Sequence, residues 1–220
     1  MKLFKKLMAT ICTIVLLANS SIPALAAEVG TDHSPGAIAT ITITDPDTGK
    51  VWTWNVPKSD LQVKTTTVIA GDSVSSSALT DAINTVSITV DASAYLAATL
   101  GQSKTLTDSI TITSGLTFTS RKDGAMAYVA LRTINGSITN SGLYYAGNRV
   151  AWYRHSGTGA FGIFYPTSNS YSYVTDTAEG NYSQTIPPYS ALECDVFVSG
   201  IEPMHRTINV TCNLDIDLLG

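Results

Sequence analysis

Histidine, cysteine and charge are all scarce in this chain, and each scarcity narrows the chemistry open to it. Only His33, His155 and His205 are present, and none belongs to an H-E-x-x-H or H-x-x-x-H pair of the kind that grips a metal. Of the three cysteines, Cys12, Cys194 and Cys212, none has the C-x-x-C spacing or the basic neighbours that would activate a thiol. No serine stands in a G-x-S-x-G elbow. Charged residues make up 14% of the chain and leave it at a net charge of −4, so nucleic acid and anionic membranes are poor partners. Fixed-period repeats and low-complexity linkers are also lacking.

Long apolar runs are absent except at the start. Lys2, Lys5 and Lys6 precede an uncharged apolar stretch, Leu7 to Ala18, which breaks at Asn19, Ser20, Ser21 and Pro23 before Ala24-Leu25-Ala26. That is the grammar of a signal peptide. Residues 1–26 are expected to be removed, with cleavage after Ala26 and, as second choice, after Ala27. A membrane anchor needs about 20 apolar residues, more than this run supplies. Cys12 lies inside the run, not at a cleavage point, so lipid attachment is not expected. The mature chain then has no membrane span, is secreted, and carries ten Lys plus Arg against seventeen Asp plus Glu.

What the sequence has in quantity is β-pattern. In Ile38 to Val56, Ile41 and Ile43 alternate with Thr40, Thr42 and Thr44. Turn chemistry follows at Asp45-Pro46-Asp47-Thr48-Gly49-Lys50, and Val51, Trp52, Trp54 and Val56 resume, which reads as a hairpin. Further strands are expected at Leu61 to Ile69, Val86 to Val90, Ser109 to Thr119, Ala125 to Ile134, Asn148 to His155, Phe161 to Tyr165, Ser170 to Thr175 and Tyr182 to Ile186. Turn signals separate them at Gly71-Asp72, Lys122-Asp123-Gly124, Asn135-Gly136, Gly147-Asn148, Gly157 and Pro187-Pro188. The fold class implied is all-β, an antiparallel β-sandwich or jelly roll, with at most two short helices. One is capped by Asp91 and runs through Tyr95 to Leu100; a weaker one lies at Ala78 to Asn84. Residues 27–36 read as a loose tail and 37–220 as one domain, with a conceivable boundary at 101–104.

Near the C-terminus, Leu192, Cys194, Val196 and Val198 alternate with polar residues, as do Ile208, Val210, Cys212 and Leu214. Both segments read as half-buried strands with a cysteine on the core face. The turn-rich connection between them is centred equally far from the two cysteines, so a hairpin would set Cys194 opposite Cys212. A disulfide is expected there, since export places it where disulfides persist; two reduced buried thiols are the alternative.

Several constellations touch on chemistry. Gly157-Thr158-Gly159-Ala160-Phe161-Gly162 matches G-x-G-x-x-G, but that motif must open a helix to hold a pyrophosphate, and Ile163-Phe164-Tyr165-Pro166 is strand followed by a breaker. Asp45-Pro46-Asp47-Thr48-Gly49 has half of a calcium-loop spacing without the closing bidentate Glu, and a hairpin turn accounts for it without metal. Glu193-Cys194-Asp195-Val196 resembles part of the strand motif of the jelly-roll β-glucanases, over four residues. The positions that should supply that family's acid hold Phe197 and Val198, so its retaining chemistry, which needs two carboxyls, is not implied. No catalytic residue, metal site or cofactor is assigned.

The remaining signal is aromatic. Eight of the ten tyrosines fall between Tyr144 and Tyr189, with Trp152, Phe161 and Phe164 among them. Alternation puts Val150, Trp152 and Arg154 on one face and Ala151, Tyr153 and His155 on the other, while Tyr171 and Tyr173 share a face. Tyrosine offers a rigid contact with a polar tip, which suits glycans and protein partners; cross-strand packing is the competing use. Trp152, Tyr153, Tyr171 and Tyr173 are therefore the candidate ligand-binding residues of a secreted, non-catalytic binding module. A secreted glycan-active hydrolase and a structural subunit of an extracellular assembly are the alternatives.

Overall fold

The computed structural model describes residues 39–57, 61–69, 82–100, 108–199 and 205–215. The expected signal peptide, the tail at 27–36, His33, the turn at Gly71-Asp72 and the conceivable boundary at 101–104 lie outside the described residues.

Twelve strands and one helix make up this part of the chain. The strands are β1 (Ala39–Thr44), β2 (Val51–Asn55), β3 (Leu61–Ile69), β4 (Ala82–Asp91), β5 (Ser109–Asp123), β6 (Met126–Ser141), β7 (Tyr144–His155), β8 (Ala160–Phe164), β9 (Ser170–Val174), β10 (Gly180–Asn181), β11 (Tyr189–Val198) and β12 (His205–Asn213); the helix α1 is Ser93–Leu100. All pairings are antiparallel. The first sheet runs β2-β1-β12-β11-β7-β8 and the second β10-β6-β5-β4-β3, with β9 beside β10 along the same edge of β6.

Period-two burial explains why these segments are strands. In β12, Arg206, Ile208, Val210 and Cys212 are buried while Thr207, Asn209 and Thr211 between them are half-exposed. The same alternation buries Ile41 and Ile43 in β1, Ile110 and Ile112 in β5, and Val86, Ile88 and Val90 in β4. The inward residues of both sheets join one apolar core. Each fully buried aliphatic side chain contributes about 1.5–3 kcal/mol, which offsets the ordering of its strand. Two polar struts cross this core. Ser114 Oγ on β5 meets Ser190 Oγ on β11 at 3.1 Å, and His155 Nε2 on β7 reaches the Val129 carbonyl on β6 at 2.8 Å. No helix among the described residues is long and apolar enough to cross a membrane.

Local chemistry fixes the elements as the sequence suggests in several places. The β1–β2 turn is held by Asp45, whose carboxylate accepts from the Asp47 amide at 3.0 Å. Helix α1 starts two residues after Asp91, which accepts from the Ser93 amide at 3.0 Å, and Ser93 in turn accepts from the Ile110 amide.

Four expectations are corrected. Asn135-Gly136 is not a turn but lies inside the sixteen-residue β6, because Gly136 sits beneath the Tyr171 ring, where a side chain would strike the Thr113 carbonyl. Gly147-Asn148 is likewise inside β7, where a β-bulge absorbs the positive φ of Asn148 and shifts the register against β11. Tyr182 to Ile186 is not a strand; β10 ends at Asn181, and beyond it the Tyr182 amide donates to the Ala127 carbonyl of β6 at 2.8 Å. Ala82 to Asn84 opens β4 and is not helical.

The disulfide is also corrected, because Cys194 and Cys212 are free, buried thiols. The β11–β12 register pairs Cys194 with Ile208 and Cys212 with Ser190, four places apart along the ladder. At a strand rise of about 3.3 Å that offset is roughly 13 Å, far beyond the Cα separation of about 7 Å that a disulfide tolerates. Burial pushes both thiols up to about 12, so they act as small apolar core residues.

Candidate functional site

The aromatic segment resolves into an inner group and two outer ones. In the inner group Tyr153, Phe164, Tyr173 and Tyr171 stack in series, with centroid separations of 6.4, 4.5 and 5.4 Å. Phe164 belongs to β8, the edge of the first sheet, and Tyr173 to β9, on the edge of the second; their rings lie within 6° of parallel. The ladder thus bridges the two sheet edges on this side of the core. Two of its three tyrosines are paired with glycines: Tyr153 stands opposite Gly162, and Tyr171 opposite Gly136. A Cβ on either glycine would come within 2.6 Å of the facing ring or hydroxyl, so only glycine lets the rings lie flat on the neighbouring strand.

Of the four residues expected to bind ligand, Tyr153, Tyr171 and Tyr173 therefore sit in the ladder and pack on the core. Trp152 is separated from them by the sheet itself. It lies half-buried on the outer face of the first sheet, opposite Ile163. The Tyr171 hydroxyl is enclosed with no hydrogen-bond partner among the described residues, and burial holds its pKa well above the ordinary tyrosine range.

The first outer group surrounds Trp152. Phe161, Ile163 and Tyr165 alternate along β8 and its continuation, 57%, 48% and 71% exposed. Arg154, opposite Phe161, is exposed beside them. The second outer group is a row across three strands at the far end of the same face. Tyr145 on β7 and Phe197 on β11 are 6.3 Å apart, and Phe197 and His205 on β12 are 5.5 Å apart. Tyr145 is 65% exposed, because β8 pairs only with the other end of β7 and leaves that ring's flank open. The sequence offered one signal for these residues, the alternation in Phe161 to Tyr165. Tyr145, Phe197 and His205 are distant in sequence, and only the register brings them together.

Between the two outer groups lies a polar band. Asp195 accepts from Thr207 Oγ1 and from Asn148 Nδ2, both at 2.8 Å. Glu193 accepts from the Asn209 amide at 3.5 Å. Burial raises the Glu193 carboxyl above its usual value, with the Asn209 contact opposing and the Asp195 charge adding to the rise. Both carboxylates stand on the outer side of β11, tied to their neighbours. They form a fixed set of acceptors.

The other candidates have structural duties. Asp45 is pulled upward by burial, but donation from Thr48 and from the Asp47 and Thr48 amides, with the charge of Arg206, outweighs it and leaves its carboxyl below the ordinary value. Arg206 lies 3.4 Å from it. Gly157 and Gly180 touch, which lets the β7–β8 turn press on β10. His155 is the strut already described, and no three His, Cys, Asp or Glu side chains among the described residues are grouped to hold a metal. No protein-family model matches the chain, nor does any curated protein or solved structure.

Proposed function

We propose that the chain is an exported β-sandwich serving as a non-catalytic binding module, with the outer face of its first sheet as the binding surface and a glycan as the ligand. The observation that carries this reading is the row Tyr145, Phe197 and His205 beside the band of Asp195, Asn148, Thr207, Glu193 and Asn209. Aromatic rings receive the C–H faces of a sugar, and carboxylates and amides already fixed by neighbours receive its hydroxyls without paying much ordering entropy. One strand step of about 6.7 Å separates successive outward residues, so row and band together suit a short oligosaccharide laid along β11.

Retention of the purified exported protein on a glycan array and on isolated cell walls tests the reading. Tyr145→Ala and Phe197→Ala are expected to weaken binding by about tenfold each, which corresponds to about 1.4 kcal/mol. Thr139→Ala, on the outer face of the second sheet, is expected to leave it unchanged. A blank array, or equal retention of wild type and the Tyr145→Ala/Phe197→Ala double variant, rejects it.

A second reading, a structural subunit of an extracellular assembly, is favoured by a different observation. The edge strand β8 is uncharged and presents apolar side chains outward.

A further inference from the structure

Of the edge strands described, β8 alone combines an unpaired side, no charge, no proline and two large apolar residues on its outer face. The β3 edge contains Lys64, β2 follows Lys50 and bears Val51, Thr53 and Asn55 outward, and β9 shows Ser170, Ser172 and Val174. Soluble proteins ordinarily blunt such an edge with lysine, proline or a bulge. Here the blunting devices are missing where the outward side chains are most apolar, so the edge is built to be covered.

We propose that β8 pairs with β8 of a second copy of this chain, antiparallel and centred on Gly162, making a two-fold dimer with one continuous twelve-stranded sheet. The choice of occupant rests on self-complementarity. Pairing about Gly162 sets Phe161 opposite Ile163 of the second copy, and Ile163 opposite its Phe161. With the observed pairs Trp152–Ile163 and Arg154–Phe161, the row across the junction reads Trp152, Ile163, Phe161 and Arg154, the last two from the second copy. The two-fold axis generates the same row again. Each cationic Arg154 ends a row, so no like charges meet at the junction, and the acidic surplus of the chain stays off the joint. Gly162 opposite its own copy allows close backbone approach at the axis. The inner ladder is untouched, since Phe164 already faces Tyr173.

This inference stands apart from glycan binding, which uses the other end of the face. Sedimentation of the exported protein over a concentration series is expected to show a monomer–dimer equilibrium. Ile163→Lys, which places a charge at the joint, is expected to raise the dissociation constant by at least about tenfold with no change in circular dichroism. For the register, Phe161→Cys and Ile163→Cys proteins are oxidised separately and mixed. Cross-linking is expected chiefly in the mixture, because position 161 meets position 163 and neither meets itself; Cys194 and Cys212 are buried and do not compete. A strict monomer, a dimer indifferent to Ile163→Lys, or cross-linking no greater in the mixture than in either protein alone overturns the proposal.

Discussion

Phe164 and its neighbours Ile163 and Tyr165 occupy consecutive positions, yet they belong to two different regions. Phe164 points inward and completes the ladder Tyr153, Phe164, Tyr173 and Tyr171, which spans both sheet edges. Ile163 and Tyr165 point outward with Phe161 and remain exposed. Composition is much the same in the two; the difference lies in what each ring meets. Two of the inner rings, Tyr153 and Tyr171, have glycines opposite them, and Phe164 and Tyr173 stack on each other from the edges of the two sheets. Among the outer ones, Ile163 stands opposite Trp152 and Phe161 opposite Arg154 on β7. Aromatic density in a sequence therefore marks where rings are, and strand parity with the partner strand decides whether they stabilise the fold or face a partner.

The sharpest way to break the inner region is to remove the space its rings use. At Gly136 an added Cβ would lie 2.6 Å from both the Thr113 carbonyl and the Tyr171 hydroxyl. The carbonyl belongs to the β5–β6 ladder and has nowhere to go. Gly136→Ala is expected to destabilise by about 3 kcal/mol, the upper range for overpacking a close-packed site, as read by urea unfolding. A loss below about 1 kcal/mol would mean that the ring and strand move apart freely and the ladder is not a fixed element.

The two faces of β8 are separated by a paired truncation. Phe164→Ala removes a half-buried ring from the middle of the ladder and is expected to cost about 2 kcal/mol, less than the 3–5 kcal/mol of a fully buried phenylalanine. Phe161→Ala, from an exposed position three residues earlier, is expected to stay within about 0.5 kcal/mol. Measured for the monomer at low protein concentration, equal costs would erase the distinction between inside and outside.

Much of this architecture was legible beforehand. The alternation in Ile41-Thr42-Ile43 and in Ile208 to Leu214 gave the strands and the correct inward sets, and that in Val150 to His155 separated the two faces without saying which points inward, because side-chain direction in a strand is a property of the local backbone. Register was not legible. It is set by turn geometry and by the burial of both partners, and the four-place offset of Cys194 from Cys212 could not be read from a connection that appears symmetric. The same ignorance hid the row Tyr145, Phe197 and His205, whose members meet only through two strand pairings. Asn135-Gly136 misled in a further way. The pair carries turn chemistry, but its glycine serves a ring that arrives from 35 positions later in the chain.

The smallest expected effect concerns a single oxygen. Tyr171 carries its hydroxyl into the inner region, where no described atom accepts or donates to it. Enclosing a hydroxyl without a partner costs about 1–3 kcal/mol, so Tyr171→Phe is expected to stabilise the protein by up to about 1 kcal/mol once the lost polar contacts of the unfolded chain are set against that cost. Alkaline unfolding adds a signed check. Burial first, with a smaller contribution from Tyr173, raises the Tyr171 phenol above its ordinary value of 10.0. The folded protein therefore keeps this proton while the unfolded chain releases it, and the group's contribution is intact below pH 10.0 and lost as pH rises beyond it. The advantage of Tyr171→Phe over wild type should accordingly widen above that pH. A variant less stable than wild type at neutral pH, with no widening on the alkaline side, would show that the hydroxyl is solvated and that the inner ladder is wet where it is now read as dry.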